Sequence, residues 1–311
     1  MSSHLIDLFK PFIPKLVNSL HKGQAGRIAV LGGSKEYTGA PYFSAITAMR
    51  MGSDICHIFA TTEGGTATAL KTMDPDLIVH PIEKNDPSDI IPWLLSLHCI
   101  VIGPGLGRTV GAWNCAKEVM KAARNINLPM VLDGDILRLL CVNKGLDIIQ
   151  GYDKVILTPN VVEYNQLSNA IKEITGDSSA SLLTPQQIST QLGNVTIVQK
   201  GQTDHITDGN QTVSCDEPGM PRRCGGQGDF LAGAVAAMYT WANLYYKYNL
   251  NESPKDQAYP LELLSSYAAC TFLRRCSSAA FSKHKRSTIT KDILKQIPNQ
   301  FELLFPDEDS Q

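Results

Sequence analysis

The densest chemistry in the chain lies in the run Cys224-Gly225-Gly226-Gln227-Gly228-Asp229, which leads into an apolar stretch, FLAGAVAAMYTW, patterned as a long helix. Glycine lets backbone N–H groups face a ligand with no Cβ in the way. The first turn of a helix adds unpaired donors and a partial positive charge, a combination that suits phosphate. Asp229 falls in that first turn. A carboxylate there can act as a helix cap, stabilising by about 1 kcal/mol. A cap, however, has no need of the glycines at 219, 225, 226 and 228. A base beside an anion-binding turn does, if it takes a proton from a hydroxyl while the helix N-terminus steadies charge on a transferring phosphoryl group.

Two further glycine-dense segments follow apolar runs, LGGSKEYTGAP (31–41) and IGPGLGR (102–108). Gly103, Gly105 and Gly107 lack the spacing of the dinucleotide fingerprint, and a tight strand-to-helix turn accounts for them as well as a ligand does. No G-x-x-x-x-G-K-[ST] motif is present, so a nucleotide would not be held by a Walker loop. Asn160 and Glu163 open another segment, NVVEYNQ (160–166), with the spacing of a helix cap in which Glu reaches back to the Asn N–H. Asp133 and Asp135 close the run PMVLDGD, where substrate contact and capping are both open.

Such loops need a frame that gathers them. Short β-branched runs at 27–33, 54–60, 76–82, 98–105, 129–135, 153–160 and 194–201 read as strands. Helical patterns lie at 41–52, 86–96, 111–125, 229–246, 260–282 and 290–304. Strands alternating with helices predict an α/β fold, a largely parallel central sheet with helices on both faces. In such sheets ligands bind where strands end at their carboxyl edge, which is where the glycine segments fall. A hairpin, DHIT-DGN-QTVSC (204–215), interrupts the alternation. The polar linker 247–260 reads as a surface insertion, because too little chain follows it for a second core. A single catalytic domain over 1–311 is expected, with an N-terminal helix within 1–25 and an acidic tail at 306–311.

Composition excludes several classes. The 311 residues carry a net charge of -2, and the pI is near 6.4, which gives no electrostatic footprint for nucleic acid or a membrane surface. The basic cluster Lys283 to Arg286 and the acidic Asp307 to Asp309 read as solvated ends. Eight cysteines are scattered without C-x-x-C pairs, and several sit inside apolar runs, the usage of a reducing compartment. Cys224 is read as structurally buried. The seven histidines form no usable constellation. No apolar stretch reaches membrane-span length, and the first residues lack the features of a signal peptide or presequence, so a cytoplasmic address is expected.

Taken together, the motifs are familiar. CGGQGD resembles the A/G-x-G-D signature of ribokinase-like small-molecule kinases, whose Asp is the catalytic base. More closely, GRIAVLGGSKEYTGAPYFSA (26–45), VIGPGLGR (101–108), ILTPNVVEYNQL (156–167) and GGQGDFLAG (225–233) resemble, in order, the ATP- or ADP-dependent NAD(P)H-hydrate dehydratases of eukaryotic stand-alone type. VLDGDIL (131–137) and VQKG (198–201) fit as well. The resemblance implies a ribokinase-like three-layer fold and the dehydration of (6S)-NADHX or NADPHX to NADH or NADPH, with ATP converted to ADP and phosphate.

It also implies roles. Asp229 would be the base. Lys200, Gly201, Gln202, Thr203 and Asp204, with Gly219, Met220, Pro221, Arg222, Arg223, Cys224, Gly225, Gly226, Gln227 and Gly228, would bind ATP. Tyr37, Gly39, Ala40, Gly107, Asn160, Val161, Val162, Glu163, Tyr164, Asn165 and Gln166, with Asp229, would bind the hydrate. Asn160 and Glu163 would position Mg²⁺ through water. A homo-oligomer and an NAD(P)HX epimerase on a separate chain are further implications. Phe230 and Ile136 depart from the family pattern without removing a polar group. Two other readings stay open: a kinase of a vitamin precursor (hydroxymethylpyrimidine, thiazole or pyridoxal), and a nucleotide-binding regulator without turnover.

Overall fold

The computed structural model describes residues 2–19, 21–249, 253–254 and 257–306. Asp307 to Asp309 of the acidic tail, and part of the linker 247–260, lie outside the described residues.

Nine strands form one sheet. They are β1 (Arg27–Leu31), β2 (Ile55–Thr61), β3 (Ile78–Ile82), β4 (Cys99–Ile102), β5 (Met130–Leu132), β6 (Val155–Leu157), β7 (Thr196–Gln199), β8 (Asp204–Thr207) and β9 (Thr212–Cys215). Their spatial order is β3-β2-β1-β4-β5-β6-β7-β8-β9. β1 to β7 are parallel, and the hairpin β8–β9 adds antiparallel to β7. The α/β expectation holds.

Alternation along each strand divides two cores. Ile28 and Val30 of β1 face one, with Val101, Val131 and Ile156. That core is completed by the helices α1 (Ser2–Phe9), α2 (Gly39–Met51), α3 (Thr66–Met73), α8 (Gln227–Tyr248), α9 (Leu261–His284), α10 (Thr290–Leu294) and α11 (Ile297–Leu304). Ala29 and Leu31 face the other core, with Ile100, Ile102 and Leu132. It is covered by α4 (Val110–Asn125), α5 (Asp135–Val142), α6 (Val161–Thr175) and α7 (Pro185–Gln191). With both faces buried, the strands are near-continuous apolar runs rather than alternating ones, as a covered parallel sheet requires.

Several local expectations change. The helix expected at 86–96 is two 3₁₀ turns, Pro87–Asp89 and Ile91–Ser96, because Pro87 and Pro92 each remove a backbone donor. The helix expected within 1–25 is confined to Ser2–Phe9, with a 3₁₀ turn Lys10–Phe12 containing Pro11. The closing helix at 290–304 breaks into α10 and α11, the second carrying Pro298 in its first turn. No helix among the described residues is long and apolar enough to cross a membrane.

Candidate active site

The strand order reverses between β1 and β4: β1 pairs with β2 on one side and β4 on the other. At such a switch point the loops leaving the two strands diverge to opposite faces and open a crevice. A cleft of about 540 Å³ lies there. Tyr37 and Ala40 line it from the β1–α2 segment, Gly105 and Arg108 from the β4–α4 turn. Gly134, Asp135 and Arg138 come from the start of α5, and Asn160, Val162, Glu163 and Gln166 from the start of α6.

Beside the cleft, three neighbouring parallel strands each deliver one polar residue immediately past their ends. β5 is followed by Asp133, β6 by Thr158 and β7 by Lys200. Asp133 Oδ1 accepts the Thr158 hydroxyl at 2.6 Å and the Lys200 ammonium at 2.6 Å. The pair is buried, with side-chain exposure of 19% for Lys200 and 4% for Asp133. A buried pair this short holds its position because either charge left alone would be costly.

Above this cluster stands the turn that opens α8. Gly226 has φ of +95°, and a Cβ there would lie 2.8 Å from Thr290 Oγ1 and 2.9 Å from Phe43 Cδ2. Glycine is therefore demanded by conformation and by space. The turn is tied internally by the Cys224 N–H donating to Gln227 Oε1 at 3.1 Å, and to α10 by the Thr290 hydroxyl donating to the Gly225 carbonyl at 2.5 Å. A Cβ on Gly228 would lie 3.3 Å from Lys200 Nζ and 3.7 Å from Asp133 Oδ2, which sets the ion pair against the helix N-terminus.

Asp229 is half-buried on the next residue. Burial, then the charge of Asp133, pushes its carboxyl up to about 7; Lys200 acts in the opposite direction, and Glu163 and Asp135 add to the rise. Glu163 and Asp135 both line the cleft, so Asp229 shares its field with the cleft wall. Burial raises Glu163 above the usual carboxylate range, with Lys200 opposing. Burial works against the Lys200 ammonium, but Asp133 and Glu163 outweigh it and hold its pKa up. Lys200 stays charged while Asp229 can exchange a proton near neutrality, the range a general base uses.

The expected ATP-binding segments flank this centre. The Gly201 N–H donates to Asp204 Oδ1 at 2.9 Å, and Asp204 Oδ2 accepts from Arg274 Nε at 2.7 Å. Arg274 also donates to the carbonyls of Gly201 (3.0 Å), Gln202 (2.9 Å) and Glu217 (3.2 Å). It thus stiffens 200–204 and the approach to the glycine turn together. Asp204 is a brace in this arrangement, Thr203 is half-buried beside it, and Gly219 lies within 3.7 Å of Arg274 Cγ by its absent Cβ. Met220 is in the core, which leaves only its backbone for a ligand. Pro221, Arg223 and Gly225 are exposed; Arg222 Nε donates to the Thr288 carbonyl at 2.6 Å, and Arg223 to the Met220 carbonyl at 3.2 Å. Cys224 is half-buried, its Sγ 3.5 Å from Thr290 Oγ1.

Helical geometry divides the expected hydrate-binding segment. Asn160, Val162, Glu163 and Gln166 line the cleft, while Tyr164 turns into the opposite core and donates to the Leu183 carbonyl. Val161 and Asn165 are exposed outside the cleft lining. Asn160 Oδ1 accepts the N–H groups of Val162 (2.9 Å) and Glu163 (3.0 Å), and Glu163 Oε2 accepts the Asn160 N–H (2.9 Å). The capping box expected from sequence is complete, and it occupies the Asn160 oxygen. Gly107 donates its N–H to Asp135 Oδ2 at 3.0 Å rather than lining the cleft. Gly39 begins α2 beside the lining residue Ala40.

Sequence reading missed Arg274, Thr158, Thr290 and Arg138. Arg274 is 70 residues from Asp204 in the chain and sits mid-helix with no local motif, so only the tertiary fold identifies it. No group of three or more His, Cys, Asp or Glu that could hold a metal occurs among the described residues. His57 and His80 do meet, at 2.9 Å between ring nitrogens, but within β2 and β3 rather than at the strand ends.

A family model described as NAD(P)H-hydrate dehydratase matches residues 28–299. A Dictyostelium discoideum protein named ATP-dependent (S)-NAD(P)H-hydrate dehydratase is 69% identical over 305 residues, covering 98% of this chain and 99% of its own. A Homo sapiens protein of the same name is 40% identical over 302 residues, covering 96% of this chain and 84% of its own. Among solved structures, the Bacillus subtilis ADP/ATP-dependent NAD(P)H-hydrate dehydratase co-crystallised with ATP/Mg²⁺ superposes with a TM-score of 0.67 at 18% identity, covering 98% of this chain and 97% of that one. A ribokinase-like superfamily protein from Enterococcus faecalis gives a TM-score of 0.73 at 21% identity, covering 97% and 95%. At these identities the structural likeness establishes the ribokinase-like fold.

Proposed function

The chain belongs to the NAD(P)H-hydrate dehydratase family, and on that premise we propose how its own residues carry the reaction. The activity is the ATP-dependent dehydration of (6S)-NADHX and NADPHX to NADH and NADPH, releasing ADP and phosphate, which makes the protein a carbon–oxygen lyase that repairs nicotinamide nucleotides.

The observation that carries the mechanism is Asp229 at the first turn of α8, its carboxyl pushed up to about 7 beside a charged Lys200. Asp229 takes the proton from the C6 hydroxyl of the hydrate. The freed oxygen bonds to the γ-phosphorus of ATP as the bond to the ADP oxygen breaks. Charge developing on the phosphoryl group meets the α8 N-terminus, with Lys200 Nζ against Gly228. The C6–O bond then breaks with its electrons leaving on phosphate, and loss of the neighbouring ring proton completes the ring double bond. Phosphorylation converts a poor leaving group into a good one, which is why a dehydratase uses a kinase site.

Residues 200–204 and 219–228 would hold ATP, and the cleft would hold the hydrated dinucleotide. Mg²⁺ bound with ATP would neutralise phosphate charge. Glu163 fits it: its second oxygen accepts no hydrogen bond from a described residue, it is a hard donor, and Mg²⁺ is commonly held by one or two carboxylates, waters and substrate phosphates. Asn160, its oxygen used in the cap, would act through the orientation it gives Glu163. Residues 1–311 would work as one catalytic domain in the cytoplasm, as a homo-oligomer supplied with the (6S) epimer by a separate epimerase.

Asp229→Asn tests the assignment. A loss in kcat of about 10³-fold or more, equivalent to about 4 kcal/mol, is expected with ATP binding retained by calorimetry. Parent-like turnover by this variant would remove Asp229 from the mechanism.

A further inference from the structure

The two arginines of the cleft are not equivalent. Arg108 Nε lies 2.9 Å from Asp135 Oδ1, and the other oxygen of Asp135 accepts the Gly107 N–H at 3.0 Å. Arg138 is one turn along α5 from Asp135, close enough on a helix surface to compete for it. Both Asp135 oxygens, however, already have donors. The other carboxylate of the cleft, Glu163, is turned to the Asn160 N–H and to the field of Lys200. Arg138 is half-buried in the cleft wall and makes no hydrogen bond or ion pair with the described residues.

A guanidinium presents five donors in a rigid fork that matches phosphate oxygens in pairs, and partial burial strengthens such contacts. We infer that Arg138 anchors a phosphate group of the hydrated dinucleotide, making it a substrate-binding residue of this cleft. The inference rests on the function proposed above, which places the dinucleotide in the cleft and ATP along 200–204 and 219–228. Arg138 is not among the charged groups that shift Asp229, so as an anchor it serves binding in the ground state and the transition state alike. A contact of that kind changes KM and leaves kcat.

The test compares the parent, Arg138→Gln and Arg138→Lys in steady-state formation of NADH from (6S)-NADHX, ATP and Mg²⁺. Arg138→Gln is expected to raise KM for (6S)-NADHX about tenfold or more, with kcat and the KM for ATP retained. Arg138→Lys, which keeps the charge but not the fork, falls between. Unchanged KM values in both variants overturn the inference, as does a rise confined to the KM for ATP, or a loss confined to kcat. A parent that forms no NADH at all would instead contradict the proposed function, so the two failures are distinct.

Discussion

Substituting Lys200 and Asp133, singly and together, should move the pH dependence of turnover in a fixed order. Asp229 titrates near 7 because burial and Asp133 raise it while Lys200 opposes them. Lys200→Met removes that opposing charge. A nearby opposite charge lowers a carboxyl by about 1–3 pH units, and the smaller figure puts the variant near 8. The ionised fraction of Asp229 at pH 7 then falls from about a half to about a tenth, so roughly fivefold of the lost rate returns at higher pH, while the loss of the Lys200 charge beside the phosphoryl group lowers kcat at every pH. Asp133→Asn acts in the other direction and moves the midpoint below 7. The double variant lies just below the parent, because Asp133 acts on Asp229 more strongly than Lys200 does. The predicted order, from high to low, is Lys200→Met, parent, double variant, Asp133→Asn. Each single change leaves a buried charge unpaired at a cost of about 3–5 kcal/mol, so thermal midpoints must accompany the rates. The double variant avoids that cost. The assay is kcat at saturating (6S)-NADHX and ATP across the pH range, where the titration of ATP itself is common to all four proteins. Four superimposable profiles, or a shift of Lys200→Met toward acid, would refute this account of Asp229.

Two further outcomes follow from the same geometry. Asp229 rises from 3.8 to about 7 on folding, so the stability it allows is complete below its unfolded value and is lost as the pH climbs through 7. Asp229→Asn should therefore unfold at a higher temperature than the parent at pH 8, by at most about 4 kcal/mol in free energy, with the advantage gone at pH 4; a variant less stable at both pH values contradicts the burial argument. Arg274→Gln strips the brace from residues 200–204 and leaves the Asp204 carboxylate, 10% exposed in its side chain, without its cation. Its thermal midpoint should fall and its KM for ATP should rise about tenfold, and a normal KM for ATP would detach this brace from nucleotide binding.

The parallel sheet was legible because buried strands leave continuous apolar runs, and the runs 27–33, 98–105, 129–135, 153–160 and 194–201 each contain a strand, ending at Leu31, Ile102, Leu132, Leu157 and Gln199. Asp229, Lys200 and Glu163 were legible because each stands at the end of a strand or the start of a helix, where spacing carries chemical meaning. Arg274 and Thr290 were not, since they act across the fold from within or at the start of other helices. Asp133 lay between: its position past β5 was visible, but its commitment to Lys200 depends on β6 and β7 lying in order beside β5. The helix expected at 86–96 failed at its prolines, and α7 escaped notice because its few apolar positions acquire meaning only against the second core.

If the hydroxyl of the hydrate receives the phosphoryl group before it leaves, its oxygen must depart with phosphate, and isotopic labelling follows that oxygen. (6S)-NADHX carrying oxygen-18 in the C6 hydroxyl is turned over with ATP and Mg²⁺, and the released inorganic phosphate is weighed by mass spectrometry. One oxygen-18 is expected in each phosphate and none in the water; label recovered in water, with unlabelled phosphate, would mean that the hydroxyl leaves without being phosphorylated.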